Sequence, residues 1–408
     1  MSVELFVNKS DCCGCTACQS ICPVNAIDIK TDEYGFTYPS INGSKCIGCQ
    51  ACKKICANKS DKLGNIPLKA YAGVSLDDSI RMKSSSGGIF TVLAEEILNL
   101  GGYVYGAEII NDGNNCQLRH NCISKIQDLY RLQGSKYMQS DLTGIFPDIK
   151  SKLSEGCIVL FCGTPCQVDG LIHFLKGKQE GLITIDILCH GVPGVQMFND
   201  YLKFEKEKRK ADVFSIDFRN KKFNRWSHGA VLTIKRHGKN TRKIIHYNLS
   251  SYYMSFMDGH ILRDSCYNCK YSSQYRPSDI TLGDFWGIKK VHPQLLKTNG
   301  GFIDETKGIS CITVNTPKGI ELLRNVNDKL MIQESSLENI SLANAAITHP
   351  VSMPLDREEY MEQYRKEGYK AIDRLFRRKY RKQIPVFAIK NSIPYKWKRL
   401  ARKIGGAK

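Results

Sequence analysis

Short apolar runs alternate with amphipathic stretches from Ile66 to about Ile347, a pattern that implies α/β or α+β packing. Lys69 to Val74 reads as a strand. After Lys83-Ser84-Ser85-Ser86-Gly87-Gly88, apolar residues recur at helical spacing (Ile89, Val92, Leu93, Ile97, Leu100) until Gly101-Gly102 ends the helix, and Tyr103 to Ile110 resumes as strand. Cys157 to Cys162 is a continuous apolar run, as a buried strand requires. Gly163-Thr164-Pro165-Cys166-Gln167 then turns the chain into a helix ending near Leu175. Further strands are expected over Leu182 to Leu188 and Asp279 to Leu282.

Residues 1–65 are organised by cysteine instead. Cys12, Cys15, Cys18 and Cys22 form a C-x2-C-x2-C-x3-C-P run, and Cys46, Cys49, Cys52 and Cys56 repeat it with Ala57 in place of the proline. Two-residue gaps let three thiolates on one tight loop reach three irons of a cube, and the fourth cysteine of each run serves the other cube. Cys12, Cys15, Cys18 and Cys56 are therefore assigned to one 4Fe-4S cluster, and Cys46, Cys49, Cys52 and Cys22 to a second. Gly14 and Gly48 supply the small residues that let backbone pass close to sulfide. A pair of zinc sites is the competing reading, although zinc seldom uses this run twice in so short a span. Cys13 stands outside the scheme.

Eighteen cysteines in all exceed what a reducing compartment would pair as disulfides, so metal ligation is expected beyond this array too. Cys162, Cys166 and Cys189 fall at carboxyl ends of expected strands, where α/β sheets collect functional residues. Cys266-Tyr267-Asn268-Cys269 adds a C-x-x-C loop. Cys166, Cys189, Cys266 and Cys269 could hold a third cluster with Cys162 as a competing ligand; buried apolar thiols, a redox dithiol or half a zinc site are the alternatives. Cys116, Cys122 and Cys311 lack partners at metal spacing. The Ser84 to Gly88 run is either a cradle for a cofactor phosphate or an ordinary N-cap. Arg263, Lys270, Arg276, Asp279 and Asp284 around the C-x-x-C, with Arg219, Lys221, Lys222 and Arg225 before Trp226, suit an anionic ligand or a solvated surface.

A chain of 408 residues with 42% hydrophobic and 24% charged residues has room for two or three folded units and is neither disordered nor fibrous in composition. Met1 to Ser10 has no apolar core, and no stretch approaches the roughly 18 apolar residues of a membrane span, so a cytoplasmic protein is expected. The net charge is +19, and about two-thirds of the excess follows Asp356. Arg377, Arg378, Lys379, Arg381 and Lys382, with Phe387, Ile389 and Trp397 beyond them, suit peripheral contact with an anionic membrane or a solubilising tail. Nucleic acid is not expected, because no recognised module accompanies the charge.

In this order, S-S-S-G-G-I-F-T (Ser84 to Thr91), L-Q-G-S-K-Y (Leu132 to Tyr137), F-C-G-T-P-C-Q (Phe161 to Gln167), C-H-G-V-P (Cys189 to Pro193), C-Y-N-C-K (Cys266 to Lys270) and D-I-T-L-G-D-F-W-G (Asp279 to Gly287) resemble the coenzyme F420 hydrogenase/dehydrogenase β-subunit family from Cys12 to about Arg357. The resemblance implies an FAD-binding body that exchanges electrons between iron-sulfur clusters and an organic acceptor, which is F420 only in some branches. It makes Ser84, Ser85, Ser86, Gly87, Gly88 and Thr91 flavin contacts, places Lys136 and Tyr137 near the ring, and strengthens the third cluster. The fused two-cluster unit looks most like a bacterial branch found among polysaccharide biosynthesis proteins.

The expected fold is thus an α+β ferredoxin-type domain (1–65), a mixed α/β flavin-binding domain (66–356) and a basic helical tail (357–408). The expected function is an iron-sulfur flavoprotein oxidoreductase that takes electrons from ferredoxin or another donor and passes them through its clusters to FAD and a small organic substrate. An electron-relay subunit of a larger complex and a zinc scaffold are the rivals.

Overall fold

The structure, a computed structural model, describes residues 4–61, 64–111, 115–236 and 238–393. In the N-terminal unit β1 (Ile27–Thr31) pairs antiparallel with β2 (Thr37–Ile41), Ile27 opposite Ile41. The cysteine loops flank this hairpin and share one backbone shape. Gly14 and Gly48 take φ of 73° and 71°, Thr16 and Gln50 take 60° and 58°, and each loop then runs into a single helical turn, Ala17–Ser20 or Ala51–Lys54. Two left-handed residues in three curl each loop around a centre and aim its amides inward, as a nest for an anionic ligand does.

The body is built on one eight-stranded sheet. It begins with β3 (Lys69–Ser75), β4 (Tyr103–Asn111), β5 (Cys116–Ile123), β6 (Val159–Gly163) and β7 (Leu182–Ile187). The chain then leaves for a separate antiparallel sheet of β8 (Asp212–Phe218), β9 (Ala230–Arg236) and β10 (Lys239–Ile245), and returns with β11 (Ile280–Asp284), β12 (Ser310–Val314) and β13 (Leu330–Ser335). The order across the main sheet is β13-β3-β12-β11-β7-β6-β4-β5; β4, β6, β7 and β11 are parallel, and antiparallel strands flank them on both sides. Every residue of β12 is buried, and β6 is buried except at Cys162, which is why neither shows apolar alternation in sequence. Side chains of β4 and β6 divide between two cores. Val104 and Leu160 meet the helix Ile89–Asn99, whereas Tyr105, Val159 and Phe161 meet the helices Ile145–Ser154 and Pro165–Phe174.

The N-terminal unit joins the second of these cores through Cys15, Ala17 and Ile55. Contact is close enough to need a glycine on the body side: a Cβ on Gly170 would lie 2.8 Å from the Cys15 Sγ. Lys270 ties the same face down, donating to the Ala57 and Ser60 carbonyls at 2.6 and 2.7 Å.

The segment expected to start a basic tail at 357 instead folds back. The helices Arg357–Glu367 and Tyr369–Lys379 bury Tyr360, Met361, Tyr364, Tyr369, Ile372 and Leu375 in one core with Phe36 and Tyr38 of the N-terminal unit and Tyr201 and Tyr252 of the body. Apart from Arg357, their lysines and arginines occupy the outer face, so charge count hides the apolar stripe. The last described helix, Gln383–Ser392, buries nothing and leaves Val386 and Ile389 exposed. Trp397 and the expectations attached to it lie outside the described residues. No described helix is long and apolar enough to cross a membrane.

Beneath the parallel strands Arg276 and Asp186 form an ion pair at 2.6 Å, 1% and 0% exposed. Arg276 also donates to the Tyr271 carbonyl at 2.8 Å and to Thr281 Oγ1 at 3.1 Å, so it is spent on structure and not on a ligand. Asp186→Ala leaves this guanidinium without its counter-charge and is expected to cost about 3–5 kcal/mol. Denaturant unfolding checks this, and Asp186→Leu combined with Arg276→Met should recover most of the loss.

Candidate functional site

Three small chambers are lined by thiols. Cys22, Cys46, Cys49 and Cys52 surround the first, against Ile27 and Ile41. Cys12, Cys15, Cys18 and Cys56 surround the second, with Cys13 and Cys52 in its wall. Each run thus sends its fourth cysteine to the chamber of the other. The third chamber belongs to the body. Cys166 reaches it from the helix that follows β6, Cys189 from the end of β7, and Cys266 and Cys269 from the C-x-x-C loop.

Cys13 also lines this third chamber, which differs from its expected place outside the scheme. The neighbouring Cys15 and Cys166 thiols favour its ionised form and hold it well below the ordinary thiol range. Only the doubled Cys12-Cys13 hinted at this in sequence. Cys162 is absent from the chamber wall and faces a larger cavity, while Cys116 and Cys311 are buried in apolar clusters. Among the described residues no three His, Cys, Asp or Glu side chains converge on a single-ion site. Thiols bordering a chamber suit a cube of four irons, whose ligands stand at its corners, better than one tetrahedral ion. Burial pushes the Cys189 thiol up to about 12, so without a metal it would stay protonated and inert at neutral pH.

The larger cavity, about 520 Å³, lies beyond the carboxyl ends of β6, β7 and β11. Ser84, Ser85, Ser86, Gly88, Thr91, Lys136 and Tyr137 all line it. Gly87 does not. It packs against the strands, where a Cβ would come within 2.3 Å of the Gly73 carbonyl oxygen, and its amide donates to Ser310 Oγ at 2.9 Å. Four residues of the five-residue pattern therefore face the cavity. The serine loop is firmly held: Ser85 Oγ accepts from the Ser135 amide at 2.7 Å, and Ser86 Oγ donates to the Ile309 carbonyl at 2.8 Å. The buried Lys221 ammonium donates to the Arg81, Ser86 and Lys307 carbonyls, so it straps the loop instead of facing a ligand.

Arg219 and Asp284 meet in a two-pronged pair at 2.8 and 2.9 Å on the cavity wall, and Trp226 Nε1 donates to the same carboxylate at 2.6 Å. Beside them Trp286 is sandwiched between Trp226 and His228, ring centroids 4.7 and 4.8 Å away. Burial pushes both His120 and His228 down to about 4, so these cavity residues are neutral at pH 7. His120 Nδ1 and Arg219 Nε are buried without partners. Of the charges singled out in sequence, Lys270, Arg276 and Asp279 serve structure: Asp279 accepts from Thr184 and Thr316. Lys222 and Arg225 are exposed. His120, His228 and Trp286 carried no spacing signal, because three separate elements bring them together.

A cavity of this size, mostly apolar, with Tyr137 and Trp286 and a few placed polar groups, lies within the range that encloses a cofactor. The size and lining of the cavity are compatible with a flavin, and Lys136 is one of its lining cations. Lys136 Nζ donates to the Leu132 and Gln133 carbonyls at 2.9 and 2.8 Å, and burial lowers it to about 8. Unfolded, this lysine holds its proton up to the ordinary 10.5. Between about 8 and 10.5 the unfolded chain therefore binds more protons, and stability gained from this residue rises with pH. Wild type should gain on Lys136→Met across that window in unfolding free energy, and the difference should flatten below about pH 7.

The four spaces are contiguous. Cys52 borders the first and second chambers, Cys13 and Asn58 the second and third, and Thr164 with Cys189 to Val192 the third and the large cavity.

Residues 158–340 match the family model for the C terminus of the coenzyme F420 hydrogenase/dehydrogenase beta subunit, and residues 11–60 match that of a 4Fe-4S dicluster domain. No curated protein matches the chain. A solved structure of the F420-reducing NiFe hydrogenase complex from Methanosarcina barkeri, studied by xenon derivatization, contains a similar chain: 14% identity, TM-score 0.43, covering 77% of this chain and 91% of that one.

Proposed function

We propose, for a chain whose residues 158–340 match the C terminus of the coenzyme F420 hydrogenase/dehydrogenase beta subunit, a redox conduit that begins at the N-terminal cysteines and ends at FAD in the large cavity. Its 4Fe-4S domain makes it an iron-sulfur protein of oxidoreductase type. The observation that carries the fuller reading is the run of four spaces with shared walls. Clusters take one electron and a flavin two, and that mismatch is the reason to house both in one chain.

The residues divide the work. Cys49, the exposed thiol of the array, marks the side on which a ferredoxin or other donor would dock. Cys166, Cys189, Cys266 and Cys269 would hold a third cluster. Ser84 to Ser86, Gly88 and Thr91 would hold the flavin, with Lys136 and Tyr137 beside its ring. The neutral His120 and His228 keep positive charge in the cavity to Lys136 and the paired Arg219. A small organic substrate would meet the flavin where Trp286 and His228 form the wall. The resemblance to proteins of polysaccharide biosynthesis makes sugars and nucleotide sugars the first compounds to try.

The match to a family of beta subunits favours a second reading in which the chain relays electrons to a separate partner, with F420 or another acceptor. Anaerobically purified protein is expected to carry FAD and about twelve irons, four for each cube. Cys189→Ser and Cys49→Ser should each lower the count to about eight with flavin retained. Full iron in either variant would overturn that ligand assignment, and protein lacking flavin would overturn the FAD reading. Dithionite-reduced protein that no sugar or nucleotide sugar reoxidises without an added subunit would leave the relay as the function.

A further inference from the structure

Four arginines are buried among the described residues, and three of them have a carboxylate partner. Arg81 meets Asp78 at 3.4 Å, Arg219 meets Asp284 at 2.8 Å and Arg276 meets Asp186 at 2.6 Å. Arg263, 0% exposed, has none among the described residues. Its Nε donates to the Cys12 carbonyl at 2.7 Å and its Nη1 to the Thr37 carbonyl and Gln139 Oε1, both at 2.9 Å. The neighbouring Asp264 is taken by Arg357 at 2.6 Å. What remains is Nη2, which points at the Cys12 Sγ at 3.6 Å, while the ring of Tyr38 covers one face of the guanidinium at 4.1 Å.

A buried cation satisfied by neutral oxygens alone is costly, and proteins neutralise such charges. The anion at which Nη2 points is the thiolate of Cys12 together with whatever that thiolate ligates. A 4Fe-4S cube with four thiolates is anionic and gains a further negative charge on reduction. A fixed cation donating to a ligand sulfur stabilises the reduced form more than the oxidised one, which raises the potential. The Arg263 carbonyl also accepts from the Cys266 amide at 2.9 Å, so the residue stands where the second chamber meets the third. The first chamber lies on the far side of Cys52 and has no such contact with Arg263.

We propose that Arg263 is a positioning residue that raises the reduction potential of the cube at Cys12, Cys15, Cys18 and Cys56 above that of the cube at Cys22, Cys46, Cys49 and Cys52. It thereby makes the inward step the downhill one. This rests on the assignment of cubes to those thiols.

EPR-monitored redox titration of the whole chain tests it. In Arg263→Gln the cube at Cys12 should become at least tenfold harder to reduce, about 59 mV for one electron, and the cube at Cys22 should keep its potential. Arg263→Lys, which keeps the charge, should retain most of the wild-type value. Unchanged potentials in Arg263→Gln, or equal shifts of both cubes, overturn the proposal. Should Arg263→Gln fail to hold iron, Gln139→Glu sets a carboxylate on Nη1 and should lower the same potential; no shift there overturns it. Absence of any cube signal in wild type would instead overturn the cluster assignment.

Discussion

The close seating of the Cys12 to Cys18 loop on the body is the contact on which the rest depends. Gly170 has no Cβ to hold Cys15 away, Gly14 adopts a left-handed φ of 73° against Gln139 and Arg263, and Lys270 anchors the far side of the array. Without that approach Cys13 could not border two chambers. The third chamber would then face solvent instead of the second.

Charge is rationed throughout this region. The cations of the large cavity are balanced by Asp284 or lowered by burial, and its His120 and His228 are neutral at pH 7. Such an interior has a low effective dielectric, where each remaining charge acts strongly on its neighbours. The uncompensated guanidinium against Cys12 is therefore a stronger influence than it would be on a surface.

Local order was legible in sequence. The strands at Tyr103, Val159, Leu182 and Ile280 and the helices at Ile89 and Pro165 announce themselves through apolar runs, glycines and a proline at the first helical turn. The family match over 158–340 likewise agrees with motifs that sequence alone displays. What sequence hid arises from long-range packing. Gly87 looks like part of a ligand loop but is needed for strand contact; Arg276 looks like an anion binder but is spent on Asp186; the helices after Asp356 look like a tail because their basic face outnumbers a stripe of buried tyrosines. Cys13 and Arg263 gain much of their significance from neighbours more than a hundred residues away, Cys166 for the one and Cys12 for the other.

The exchange of Cys22 and Cys56 between the two N-terminal chambers has a consequence for biogenesis. Neither run alone walls a chamber, so in a nascent chain the chamber at Cys22 would be complete only once residue 52, and the chamber at Cys12 only once residue 56, had left the ribosome. Filling of the two chambers would therefore be coupled, and oxidative damage to one run would withdraw a wall from both.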